Sequence, residues 1–74
     1  MNWKQIFEDL GFTYMGPCRC RQSKGYIFRH PSNSNMEAWI YPGPKRIKIR
    51  EYDVNKTTLP YTEETLQTIV EALV

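Results

Sequence analysis

Seventy-four residues carrying a formal net charge of +2 and 41% apolar side chains make one small domain, residues 1–74, rather than two. A chain of this length buries only about 60–65% of the surface its unfolded form exposes, so a single core suffices. No apolar run approaches the ~20 residues that cross a bilayer, and Glu8 and Asp9 interrupt the region where a secretory leader would be apolar, so a cytoplasmic protein is expected.

In chain order, residues 2–10 read as a helix. Trp3, Ile6, Phe7 and Leu10 form one amphipathic stripe, Asn2 is the expected N-cap with Gln5 completing a capping box, and Gly11 is the stop. Residues 12–20 read as a strand that Gly16-Pro17 interrupts with a bulge or an edge position. Without that interruption Phe12, Tyr14, Cys18 and Cys20 would share a face. A turn at Gln22–Gly25 leads into a second strand at Tyr26–His30, and the polar turn Pro31–Asn35 into a third at Met36–Tyr41. Pro42-Gly43-Pro44 reverses the chain into Lys45–Tyr52, the clearest strand of all. There Ile47 and Ile49 alternate with Arg46, Lys48 and Arg50, so one side is apolar and the other cationic. Residues 53–60 read as a loop. Thr62 then caps a second helix with Glu63 and Glu64 in its first turn and a stripe of Leu66, Ile69, Val70 and Leu73; Tyr61 and Leu66 form a hydrophobic staple. The order α-β-β-β-β-α with short connections implies an α+β fold. Its expected form is a two-layer sandwich, an antiparallel meander sheet with both helices on one face and the other face open to water.

The register between the third and fourth strands has two solutions. A tight loop pairs Trp39 with Ile47 on the core side; a longer one pairs Ile40 with Ile47 and places Trp39 and Tyr41 beside Arg46 and Lys48. Only the second gives an aromatic and cationic surface suited to stacking bases, with Trp39 and Tyr41 as candidates.

The modest net charge hides a segregation. Residues 18–50 hold eight basic side chains against Glu37 alone, whereas the flanks are acidic, residues 51–74 carrying Lys56 against five acids. Local potential decides which partners approach, so this asymmetry points to a polyanion. Arg46, Lys48 and Arg50 recur about every 7 Å along one side of a strand, close to the spacing of phosphates along a nucleic-acid strand. Arg29 extends the row, and Arg19, Arg21 and Lys24 frame its edge. The structural alternative is that these charges keep an open sheet soluble and discourage strand addition. Two further readings are an acidic protein partner docking on the same cations and aromatic residues anchoring a dimer. Sequence leaves the oligomeric state open.

Catalytic and metal chemistry find little support. His30 is the lone histidine and therefore the one candidate for acid–base work near neutral pH, but its neighbours Arg29 and Pro31 offer no carboxylate to orient it. Cys18 and Cys20 stand in Cys-x-Cys spacing, and with His30 they fall short of the four ligands that zinc takes, so no metal is expected and the cysteines read as reduced, small core residues. No glycine-rich phosphate loop or nucleophile motif is present, and no cofactor is implied.

Leu10-Gly11-Phe12, Tyr26-Ile-Phe-Arg-His30-Pro31 and Thr65-Leu66-Gln-Thr-Ile69, in this order across nearly the whole chain, resemble the HicA-like proteins. These are small messenger-RNA-cutting toxins built on the double-stranded-RNA-binding-domain fold. The resemblance implies that fold, RNA as the partner and, as an alternative to simple binding, a divergent ribonuclease using His30. The chain departs from the pattern where it matters for catalysis. Where the family places its catalytic histidine, after a small turn at the start of the second strand, this sequence has Gln22-Ser23-Lys24-Gly25-Tyr26. It also reads as one strand richer than that fold, and its last helix opens with Glu63 and Glu64 where duplex-RNA binders are lysine-rich.

Overall fold

The computed structural model describes residues 2–20 and 23–74, apart from the side chains of Arg19 and Cys20. Two helices, α1 (Trp3–Asp9) and α2 (Leu66–Glu71), flank five strands: β1 (Thr13–Cys20), β2 (Ser23–Arg29), β3 (Met36–Tyr41), β4 (Arg46–Glu51) and β5 (Val54–Pro60). The strands form one antiparallel meander in sequence order. The α+β class and the meander are as expected from sequence, and the sheet gains a fifth strand.

The N-terminal helix ends as its sequence demands. Asn2 Oδ1 accepts from the Gln5 N–H at 3.2 Å. At the other end the Gly11 N–H donates to Glu8 and the Phe12 N–H to Phe7, both at 3.0 Å. With Gly11 at φ +89° this is a Schellman motif, and the Phe7 and Phe12 rings, 5.3 Å apart, supply its hydrophobic contact. The expected reciprocal capping box does not form, because Gln5 Nε2 donates to Asp9 Oδ1 instead.

In β1 the register shifts between Tyr14, opposite Phe28, and Gly16, opposite Ile27, leaving Met15 as the extra residue. Gly16 takes φ +119°, open to glycine and strained for other residues. The bulge reverses the alternation, so Tyr14 packs against the core while Cys18, opposite Gly25, lies on the far side of the sheet. Cys18 is therefore not the core residue that unbroken alternation with Phe12 and Tyr14 implied.

The loop 42–45, with Lys45 left-handed at φ 58°, fixes the longer-loop register: Ile40 lies opposite Ile47, Trp39 opposite Lys48 and Tyr41 opposite Arg46. Residues 53–60 are not the loop read from sequence. Tyr52 and Asp53, at φ 54° and 61°, make a two-residue turn with both central residues left-handed, the geometry whose twist matches a hairpin, and β5 returns along β4. All seven β5 residues are exposed, which is why no apolar alternation betrays the strand.

One buried cluster unites Phe7 of α1, Leu66 and Val70 of α2, and Phe28, Ala38, Ile40, Ile47 and Ile49 of the sheet. Phe7 and Phe28 stack at 4.4 Å with their planes 7° apart, and Trp3 lies 4.6 Å from Tyr26. Ahead of α2, Thr62 and Thr65 exchange backbone-to-hydroxyl hydrogen bonds at 2.8 and 3.2 Å. Thr62 thus caps a leading turn, and the α-helix proper, with Thr65 at its N-cap, begins at Leu66 and not at Glu63.

Candidate nucleic-acid interface

Strand alternation sorts the charged residues. Ile47 and Ile49 enter the core, so Arg46, Lys48 and Arg50 project from the opposite face of β4. On β3 the same face carries Glu37, Trp39 and Tyr41; on β2 it carries Ile27 and Arg29. Among the described residues, the face therefore holds four cations and a single carboxylate. Glu37 lies in register between Arg29 and Arg50 and accepts the Trp39 indole N–H at 3.1 Å. Among the described residues none of these cations is in an ion pair. Glu51 is turned to Asn33, whose side-chain amide donates to it at 3.1 Å. The positive groups are gathered, and they are not neutralised one by one.

Aromatic rings hold two of these cations, Lys48 and Arg50, in place. Lys48 Nζ lies 4.4 Å from the centre of the Trp39 ring and 5.6 Å from that of Tyr41, and Arg50 Cζ lies 4.9 Å from the Trp39 ring. Arg50 Nη2 also donates to the Asp53 carbonyl at 2.8 Å. Such contacts are each worth about 0.5–1 kcal/mol at an exposed site, and they fix where the charges sit. The Nε–H groups of Arg29 and Arg50 are buried without an acceptor.

The two stacking candidates from sequence share this face but are largely covered. Trp39 is half-buried beneath its two cations. Tyr41 is only 8% exposed, its ring lying on the backbone of Gly25, where a β-carbon would come within 2.6 Å of it. Lys24 has the parity of Tyr26, with its Nζ 5.7 Å from that ring, so it belongs to the opposite side of the sheet. The Arg19 side chain and the whole of Arg21 lie outside the described residues. Of the proposed row, Arg29, Arg46, Lys48 and Arg50 come together. Sequence reasoning passed over Tyr52, the most exposed of the large apolar residues described, at 68%. The signal available was an aromatic two positions beyond Arg50, in a polar hairpin tip with no apolar partner.

His30 is engaged elsewhere. It is buried, with its Nδ1 accepting the Ser32 and Asn33 N–H groups at 3.1 Å each and its Nε2 donating to the Leu73 carbonyl. An imidazole whose unprotonated nitrogen already receives two donors has no lone pair left to act as a general base. Cys18, opposite Gly25, is five strand residues from His30, about 17 Å at strand rise, so the two do not converge on a metal. Among the described residues no group of His, Cys, Asp and Glu is arranged to hold a metal ion, and no helix is long and apolar enough to cross a membrane. No family model, curated protein or solved structure matches this chain.

Proposed function

We propose that this chain is a non-catalytic nucleic-acid-binding domain of the cytoplasm, holding the backbone of RNA or of a single strand on the sheet face that bears Arg29, Arg46, Lys48 and Arg50. The observation that carries the reading is the grouping, among the described residues, of four cations against one carboxylate, Glu37, on a face that contributes none of its charges to the core. Three of them recur at every second residue of one strand, a spacing of about 7 Å that suits successive phosphates. Charge-assisted hydrogen bonds to phosphate are stronger than the ring contacts that now orient Lys48 and Arg50, and a swing of Arg29 or Arg50 onto a phosphate would give its Nε–H an acceptor.

Binding of labelled RNA and DNA oligonucleotides across a salt series tests this. Three to four phosphates contacted by this face give a slope near −2 to −3 in log affinity against log salt for a single strand, a loss of about 20- to 50-fold between about 50 and 200 mM. Changing Arg46, Lys48 and Arg50 together to Gln should flatten the slope to about −0.7, the value left by Arg29 alone. A protein that binds no oligonucleotide at low salt, or binds equally well with the three residues changed, is not this protein.

A further inference from the structure

We infer that Tyr52, at the tip of the β4–β5 hairpin, is the base-stacking residue of this interface and that the ligand is therefore a single strand and not a duplex. The inference rests on the nucleic-acid reading above. Stacking needs an uncovered ring, and the face itself supplies none: Trp39 lies under Lys48 and Arg50, and Tyr41 is 8% exposed. Tyr52 is 68% exposed and is the one aromatic among the exposed large apolar residues described. It stands two positions beyond Arg50, in the turn where β4 ends, so a strand lying on the cationic row of β4 meets this hairpin tip next.

Its backbone supports the assignment. Tyr52 occupies φ +54°, a left-handed position where Asn or Gly would sit with less steric cost, and its ring is not repaid by burial. The tip is nonetheless held on two sides. The Tyr52 N–H donates to the Asn35 carbonyl at 3.0 Å, and Arg50 Nη2 donates to the Asp53 carbonyl at 2.8 Å. An exposed ring on an anchored turn at the end of a phosphate-spaced row is a platform for an unpaired base. Duplex bases are stacked internally and offer no such face.

The test compares Tyr52→Asn, Tyr52→Phe and the wild type on labelled oligouridine and oligothymidine, on duplex RNA, and on inorganic polyphosphate, which carries the charge without bases. Tyr52→Asn should bind the single strands about tenfold more weakly. It should bind polyphosphate as before and unfold at the same or a higher temperature, because asparagine accepts the left-handed turn. Tyr52→Phe should keep wild-type affinity, and wild type should prefer single strands to the duplex. The inference is overturned if Tyr52→Asn leaves single-strand affinity unchanged, or weakens polyphosphate equally. If at the same time the glutamine variants of Arg46, Lys48 and Arg50 lose affinity, the nucleic-acid reading survives its fall. Absence of all oligonucleotide binding by the wild type overturns that reading itself.

Discussion

Replacing His30 with Ala should unfold this domain more readily without touching the cationic face. The ring makes three hydrogen bonds to the backbone, two as acceptor from the Ser32 and Asn33 N–H groups and one as donor to the Leu73 carbonyl, 43 residues away. It also packs edge-on against Phe12 with centroids 5.5 Å apart. Each hydrogen bond contributes about 1 kcal/mol net, with more at stake for a buried partner left unpaired, so losing all three and the ring's packing costs about 2–4 kcal/mol. A domain of 74 residues has only about 4–11 kcal/mol in all. The melting temperature should therefore fall by more than about 10 °C. Hydrogen exchange should quicken first at Ser32, Asn33 and the residues around Leu73 that follow α2, the segments the ring ties together. His30→Phe, which restores packing on Phe12 but offers neither donor nor acceptor, should recover only part of the loss. Below the melting temperature of the variant, oligonucleotide affinity should match the wild type. A loss of stability under about 0.5 kcal/mol would refute the clamp, as would exchange that quickens uniformly instead of at its two ends.

Two other perturbations probe the packing behind the face. Gly25→Ala would place a β-carbon 2.6 Å from Tyr41 Cε1 and 3.0 Å from its Cδ1, and displacing that buried ring should cost about 1–3 kcal/mol in urea unfolding. The same change in a Tyr41→Ala background should cost little, and an equal cost in both backgrounds would show that the ring is not the obstacle. Burial raises the Tyr61 pKa above its ordinary value of 10.0. The unfolded chain therefore ionises first, so stability is unaffected below about pH 10 and falls as pH rises through the folded-state value. Tyr61→Phe should unfold like the wild type at neutral pH and lose less stability above about pH 10; parallel alkaline losses in the two proteins would contradict the assignment.

Local chemistry made much of this fold legible. Gly11 closes a helix because only its neighbours' carbonyls and one left-handed residue are involved. The alternation in β4 declares its two faces because strand periodicity is a property of consecutive residues. What sequence could not deliver depends on partners far along the chain, or on counting a single residue. One extra residue in the β3–β4 loop decides that Ile40, and not Trp39, meets Ile47. One bulged residue, Met15, sends Cys18 to the opposite side from Tyr14. β5 pairs through backbone alone, set up by the Tyr52-Asp53 turn, and its fully exposed side chains carry no pattern to read. His30 looked like a strand-end residue because its decisive contact, Leu73, lies at the other end of the sequence. The burial of Tyr41 likewise requires Gly25, which stands near the start of β2 and meets the end of β3 only once the two strands pair.

The placement of Trp39 decides what kind of surface this is. Had the ring faced outward, the sheet would present an aromatic platform with cations at its rim. Instead Lys48 and Arg50 sit on it at 4.4 and 4.9 Å, and Glu37 holds its N–H. The ring thus orients charge in place of presenting itself. Free lysine and arginine side chains lose up to about 2 kcal/mol of rotamer entropy when they settle on a ligand. Part of that ordering is done here during folding, which lets a phosphate bind to cations already in position. A ring contact leaves the outer side of an ammonium or guanidinium available, so cation–π and phosphate contacts are compatible at one side chain. Removing the ring while keeping the charges should therefore weaken phosphate binding through disorder alone, and the base contact then has to come from outside the face, at the hairpin tip where Tyr52 stands uncovered.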